Sequence, residues 1–408
     1  MGTHHHLWHR RMTARDRDEE HRTATPLELF FDLCFVVAVA QISSVLHHFL
    51  TDDRIGHAVP GYLAAFFALW WAWMGFTWFA SAYDTDDVAY RVAALVTITG
   101  ALILASGVRR AFDEGDYALV TVGYTVGRVA LISLWLRAAL GDPEGRGSSY
   151  RFATGLAVVQ TLWLLWLLLP PGAQMPLFPV LALLDVSVPL IGERAHRTPW
   201  HPGHIAERYG SFTMIVLGES VFAASRAVQS SLDADTANVR LYVLAGGGLL
   251  TVFCMWWLYF ARPAEHILTS PRAGFVWGYG HYLVFASATA VGAGLAVNAD
   301  HVTHHGHLGP TAAAATLTVP VAVYLLTLWA LQFRPHHART LDSVRFPAAA
   351  MLVLAGTFTR APGLVTGLVT TALTAFGVIA SHRAARREHT DHGADHSPDH
   401  SSETPVRE

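Results

Sequence analysis

Residues 25–50 read TPLELFFDLCFVVAVAQISSVLHHFL, and the rest of the chain is best understood outward from that stretch. It holds an apolar run long enough to cross a bilayer, for which a helix needs about 20 mostly apolar residues. It opens on Thr25-Pro26-Leu27-Glu28, a capping box with Thr at the N-cap, Pro at the first helical position and Glu at N3. One turn on, Asp32 puts a second carboxylate on the same helix face as Glu28. A charge deep in a bilayer costs at least ~2.5–3.5 kcal/mol. Asp32 must therefore be protonated, face a polar cavity, or pair with an arginine; Arg91, Arg128 and Arg208 are the options. A span with one face turned onto other protein satisfies all of this.

The same kind of run recurs along the 408 residues, near 60–82, 91–108, 117–139, 152–170, 204–226, 240–261, 275–297 and 311–333, and more weakly near 176–192, 346–359 and 362–382. Hydrophobic residues make up 52% of the chain and charged residues 14%, well below the roughly 25% charge of an ordinary soluble domain. Mean hydropathy is +0.33. A water-soluble enzyme and a disordered protein are both excluded on these figures. The net charge of −3 provides no basic field for nucleic acid. Cys34 and Cys254 lie in apolar runs and form no disulfide framework. The expected fold is an all-α integral membrane protein of about twelve transmembrane helices.

All 28 basic residues are arginine. With the N-terminus cytoplasmic and twelve alternating spans, 21 arginines fall on inside segments and six on outside segments. That asymmetry follows the positive-inside rule and places both termini in the cytoplasm. No cleavable signal is expected, because the arginine-rich start leads into a long span without a small-residue cleavage site. The organisation reads as a cytoplasmic arm over 1–24, a membrane half over 25–192, a second over 193–382, and a disordered tail over 383–408. Glu207-Arg208-Tyr209 opens a helix 179 residues after Glu28-Leu29-Phe30, and the next span of each half carries paired tryptophans, Trp70-Trp71 and Trp256-Trp257. Six spans per half would make these parallel repeats about an axis along the membrane normal.

Several polar residues fall where lipid alone does not explain them. Glu219, in Leu217-Gly218-Glu219-Ser220, lies about 18 Å along its helix with no basic residue within a turn, which suits a proton or cation role. His204 and Glu207 stand three residues apart, but no third ligand fixes a metal there, and a helix anchor is the simpler account. Asp84, Asp86 and Asp87 close the second span on the cytoplasmic side and serve as solvated caps or a cation vestibule. His281, among glycines and aromatics inside a span, bonds a facing helix or relays a proton. Asp185 is a comparable intramembrane carboxylate. His301, His304, His305 and His307 in an outer loop, and His389, His392, His396 and His400 in the tail, are histidine-rich without a ligand pattern. No Walker, Rossmann, nucleophile-elbow or zincin motif occurs in a supporting context.

Taken in order, Leu27-Glu28-Leu29-Phe30-Phe31-Asp32-Leu33, Trp70-Trp71, Asp84-Thr85-Asp86-Asp87, His204-Ile205-Ala206-Glu207-Arg208-Tyr209-Gly210, Leu217-Gly218-Glu219-Ser220, Trp256-Trp257 and Gly280-His281 resemble the bacterial low temperature requirement protein A family over residues 25–380. The resemblance implies a polytopic inner-membrane protein and marks Glu28, Asp32, Asp84, His204, Glu207, Arg208, Glu219 and His281 as positions the family pattern contains. It implies no activity, substrate or cofactor.

The expected function is a proton- or cation-linked transporter or channel of unknown substrate, with Asp32 and Glu219 lining a cavity between the halves. Its partners would be the lipid bilayer and protons or small cations; no cofactor, no metal and no nucleic acid are expected, and the oligomeric state is open. Two readings compete. One is a membrane-embedded lipid-acting enzyme using His204, Glu207 and His281. The other is a structural or sensory membrane protein whose carboxylates pack helices.

Overall fold

The computed structural model describes residues 10–16, 19, 22–194, 196–304, 306–334 and 340–394. They form twelve α-helices and no strand: α1 (Pro26–Thr51), α2 (Ile55–Tyr83), α3 (Val88–Glu114), α4 (Ala118–Gly141), α5 (Arg146–Trp166), α6 (Pro171–Gly192), α7 (Pro202–Asp233), α8 (Val239–Phe260), α9 (Pro271–Val302), α10 (Pro310–Leu328), α11 (Thr340–Gly356) and α12 (Pro362–Ala394). Ten of these are long and apolar enough to cross a membrane. The other two are α5, which has Ser148, Ser149, Arg151 and Gln160 on its length, and α11, whose apolar segment Val344–Gly356 is short. Every apolar run read from the sequence has become a helix, and α12 continues past Arg383, where the tail was expected to begin. Residues 395–408, with His396 and His400, lie outside the described residues, as does His305.

The helix starts are written locally. Thr25 and Glu28 form the expected capping box at α1. Asp87, Asn238 and Ser270 accept backbone N–H bonds at the starts of α3, α8 and α9. Proline opens α1, α6, α7, α9, α10 and α12, where its missing N–H costs nothing.

Packing follows small residues. Lipid tails are as apolar as leucine, so helix association in a membrane depends on close backbone approach. At the α3–α4 contact a Cβ added to Gly100 would lie 2.6 Å from the Gly123 carbonyl oxygen. At the α8–α12 contact a Cβ on Gly247 would lie 2.5 Å from the Gly363 carbonyl carbon. The order of neighbours in the first half, α1 with α3, α3 with α4, α4 with α5 and α5 with α6, recurs as α7 with α9, α9 with α10, α10 with α11 and α11 with α12. The halves meet through α1 and α2 on one side and α7 and α9 on the other. One relation does not recur. α12 packs closely along α8, whereas α6 reaches α2 only through side chains.

Gly123→Ala should lower the melting temperature of the detergent-solubilised protein, by an amount corresponding to about 1–3 kcal/mol, since overpacking forces the α3–α4 backbones apart. Gly246→Ala meets open space within its helix and should leave the melt unchanged or slightly raised. Tryptophan fluorescence melts distinguish the two.

Candidate functional site

The first turns of α1 and α7 bring four of the singled-out residues together. Arg208 Nε donates to Asp32 Oδ2 at 3.1 Å and Nη2 to Asp32 Oδ1 at 2.5 Å, a bidentate pair. Trp73 on α2 adds an indole N–H to Asp32 Oδ1 at 2.7 Å. The Arg208 Nη1 lies 3.1 Å from Glu28 Oε1, and His204 Nε2 lies 3.2 Å from the same carboxylate. Glu28, Asp32, His204 and Arg208 all have 0% exposure, so water does not share their charge. Two carboxylates face one guanidinium and one imidazole. One further proton on the set would balance its charge. Glu28 thus has two duties, because its Oε2 also accepts the Thr25 N–H at 2.8 Å in the capping box.

Spacing explains which residues of α7 join. His204 and Arg208 are one turn apart and share the inward face; Glu207 falls to the side. Glu207 is exposed and accepts the Ala24 N–H at 3.1 Å. It neither faces Glu28 nor joins His204 around a common point. Among the described residues no group of three or more His, Cys, Asp or Glu side chains converges to hold a metal.

Beneath the cluster the N-terminal arm is strapped across the ends of α2 and α4. Arg22 donates to the Ala80 carbonyl at 2.6 Å and to the Ser81 carbonyl, capping the last turn of α2. Arg11 donates to the Gly141 carbonyl at 2.7 Å at the end of α4. Met12 is buried at 1% exposure, and Gly141 has no room for a Cβ beside it. Asp84 lies 3.8 Å from Arg15. Burial, and then the charge of Glu28, push its carboxyl up to about 6 despite Arg22 and Arg15. Asp87 behaves oppositely: burial works against its charge, but Arg137 and the N–H groups of Arg10 and Tyr90 outweigh that and hold it at about 2. Arg91 pairs with Asp86, with both bonds at 2.8 Å.

Glu219 stands apart, eleven residues beyond Arg208 on α7. It is buried, and its hydrogen-bonding neighbour is the Ser43 hydroxyl on α1. Among the described residues its Oε2 has no partner, and no basic side chain pairs with it. One turn past Ser43, His47 Nε2 meets Asp300 Oδ2 at 2.7 Å, near the C-terminal ends of α1 and α9. His281 is committed at both nitrogens. Its Nδ1 lies 2.7 Å from the Trp277 carbonyl oxygen, and its Nε2 lies 3.0 Å from the Tyr259 hydroxyl. Those bonds fit the neutral ring, with Nδ1–H donating and Nε2 accepting.

A second buried ion pair was only half visible in the sequence. Asp185 of α6 accepts from Arg128 at 2.6 Å and Trp71 at 2.9 Å on Oδ1, and from Tyr124 at 2.6 Å and Trp163 at 3.0 Å on Oδ2. Asp185 stood out as an intramembrane acid and Arg128 as an intramembrane base. The link between them, 57 residues apart, carries no local signal. The indole N–H groups were the available clue, since a tryptophan buried in a span needs an acceptor.

The bacterial low temperature requirement A protein family model matches residues 23–380 of the chain. A curated protein of Rhizobium meliloti (strain 1021), described as uncharacterized, is 29% identical over 341 residues, covering 79% of this chain and 80% of its own length.

Two expectations follow from the site. Asp32→Ala and Arg208→Ala should each destabilise the protein by about 3–5 kcal/mol, because each leaves a buried charge unpaired. The double variant should lose clearly less than the sum of the two. Additive losses in unfolding titrations would show that the pair is not coupled. Asp84 has a raised folded pKa, so its ionisation destabilises the fold. That cost is absent below about pH 4, grows as pH rises to about 6 and is complete above it. Asp84→Asn should therefore gain about 1–3 kcal/mol over the parent at pH 7.5 and nothing at pH 4, read from melts across that range.

Proposed function

The chain belongs to the bacterial low temperature requirement A family and is a multi-pass helical membrane protein; from that premise we propose that it moves protons or small cations across the bacterial inner membrane, with both termini cytoplasmic. Glu219 carries the proposal. A buried carboxylate with a free oxygen and no basic partner among the described residues is unfavourable as packing and suitable as a carrier of a proton or cation.

The surroundings support a stepwise route along α1 and α7. The inner station is the Glu28, His204, Arg208 and Asp32 cluster, which has one proton to exchange with the cytoplasmic side. The outer station is Glu219 with Ser43, followed one turn on by His47 and Asp300. Along α1 the step from Asp32 to Ser43 is about 16 Å at 1.5 Å per residue. Phe35 and Val39 of α1 and Phe212 and Val216 of α7 fill it, all buried. These apolar side chains interrupt the polar route, so in this reading ions cross when the halves shift against each other. That is the behaviour of a gated carrier rather than an open pore.

The lipid-enzyme reading needs His204, Glu207 and His281 around one substrate. His204 faces Glu28, Glu207 is at the surface, and His281 is spent on Tyr259 and Trp277. The structural reading accounts well for Asp32 and Arg208, and leaves Glu219 unexplained.

In proteoliposomes under an imposed pH gradient and a panel of cations, the parent protein should show flux that Glu219→Gln lowers at least about tenfold, a change of about 1.4 kcal/mol in the barrier. Unchanged flux in Glu219→Gln would remove Glu219 from the route. No flux from well-folded parent protein would remove transport.

A further inference from the structure

The first half contains a chamber that the ion route does not use. It lies between α2, α3, α4, α5 and α6, has a volume of about 360 Å³, and is lined by Phe67, Phe112, Tyr117, Tyr124, Trp163 and Trp166 among others. Ligand pockets run from about 300 Å³ upward and are mostly apolar with few polar groups. A groove of about 500 Å³ between α2 and α6 continues it, sharing Pro60, Ala64, Phe67, Met175 and Phe178. In the groove's lining, Leu183 of α6 is 67% exposed. For a helix in a bilayer that surface is lipid-facing, so the chamber opens sideways into the membrane. Three prolines inside α6, Pro176, Pro179 and Pro189, remove backbone bonds on the wall that would move.

The corresponding place in the second half is closed. There α12 lies directly on α8, with Gly247 against Gly363 and Gly367. The chamber is therefore not a necessary by-product of the helix order. It exists where the α2–α6 contact is held open.

The polar groups around the chamber decide the charge of its occupant. The ionised pair beneath it is Arg128 with Asp185, one of each sign, 2.6 Å apart and buried. Asp185 already receives four donors, about as many as two carboxylate oxygens accept. The Tyr124 hydroxyl and the Trp163 N–H are spent on it, and the Trp166 N–H is spent on the Gln174 carbonyl at 2.7 Å. The other polar residues of the lining are Tyr117 and Thr121, both uncharged, and His57, an exposed imidazole at the start of α2. An organic cation would find no free carboxylate, only ring faces worth about 0.5–2 kcal/mol to it, and an anion no free guanidinium. The aromatic faces are left, and these favour ring-on-ring contact.

We propose that the chamber is a binding site for an uncharged, ring-bearing lipophilic molecule that enters from the bilayer between α2 and α6. Tyr124 and Trp163 of the lining tie the chamber to Asp185, which fixes α6 at one point while the proline-rich remainder admits the ligand. This site does not depend on ion movement, and its test contains no flux measurement.

The probe is N-phenyl-1-naphthylamine, which is neutral and fluoresces in apolar surroundings, added to the full chain in nanodiscs with energy transfer from tryptophan as the signal. The matched anion is 8-anilinonaphthalene-1-sulfonate, and the cationic competitor is tetraphenylphosphonium. The neutral probe should show saturable transfer, absent from empty nanodiscs, with an affinity at least about tenfold above that of the sulfonate. Tetraphenylphosphonium should displace it at least about tenfold less well than unlabelled 1-phenylnaphthalene does. Ala64→Phe, which fills the junction of chamber and groove, should weaken the saturable signal at least about tenfold. Leu140→Phe, on a 73% exposed position of α4, should not. If Ala64→Phe melts early, Met175→Phe occupies the same junction from α6 and serves instead. Parent-like binding in the filled variant, or equal affinity for the charged probes, overturns the proposal.

Discussion

Arg208 has to be placed before anything else in this bundle can be. A guanidinium at zero exposure is tolerable only when its charge is met: Asp32 accepts from Nε and Nη2, and Glu28, also on α1, sets a carboxylate oxygen 3.1 Å from Nη1. The first helix of one half is thereby fixed in register and rotation against the first helix of the other. Trp73 follows, because its N–H must reach Asp32, and Phe212 then stacks on the Trp73 ring with centroids 4.4 Å apart. The aromatic core between the halves is built on this pair, and the pair is what makes the inward face of α1 specific.

The same arrangement occurs again at Asp185, with another guanidinium and another indole from α2. Trp71 and Trp73 lie two residues apart on one helix and serve opposite neighbours, Trp71 reaching α6 and Trp73 reaching α1. α2 is therefore the strut from which both buried carboxylates are held. Of the adjacent tryptophans read as a repeat signature, Trp70 packs against Tyr282 and only Trp71 makes a polar tie. In the second half Trp256 and Trp257 are 44% and 51% exposed, a position suited to lipid rather than to an acceptor.

The spans were legible because the bilayer imposes a length and a polarity that no soluble fold shares. The α1 cap and the shared face of Glu28 and Asp32 were legible because both depend only on spacing within one helix. Partner choice was not. Arg91, Arg128 and Arg208 were all options for Asp32, with Arg208 offering a pair across the two halves; tertiary packing sent the first to Asp86, the second to Asp185 and the third to Asp32. His281 looked available because its acceptor and donor, the Trp277 carbonyl and the Tyr259 hydroxyl, cannot be told from a sequence window. The aromatic chamber left no trace in the sequence at all, since it arises from a helix contact that is not made.

The N-terminal strap bears on biogenesis. Arg11, Met12 and Arg22 precede α2 and α4 along the chain, yet the surfaces they occupy, the ends of those helices, exist only after the helices have entered the membrane. The strap therefore closes late over a half-finished bundle, and its docking marks the moment at which the first four helices have been inserted in the correct topology. A chain inserted with one hairpin inverted would have no Gly141 carbonyl on the side where Arg11 waits.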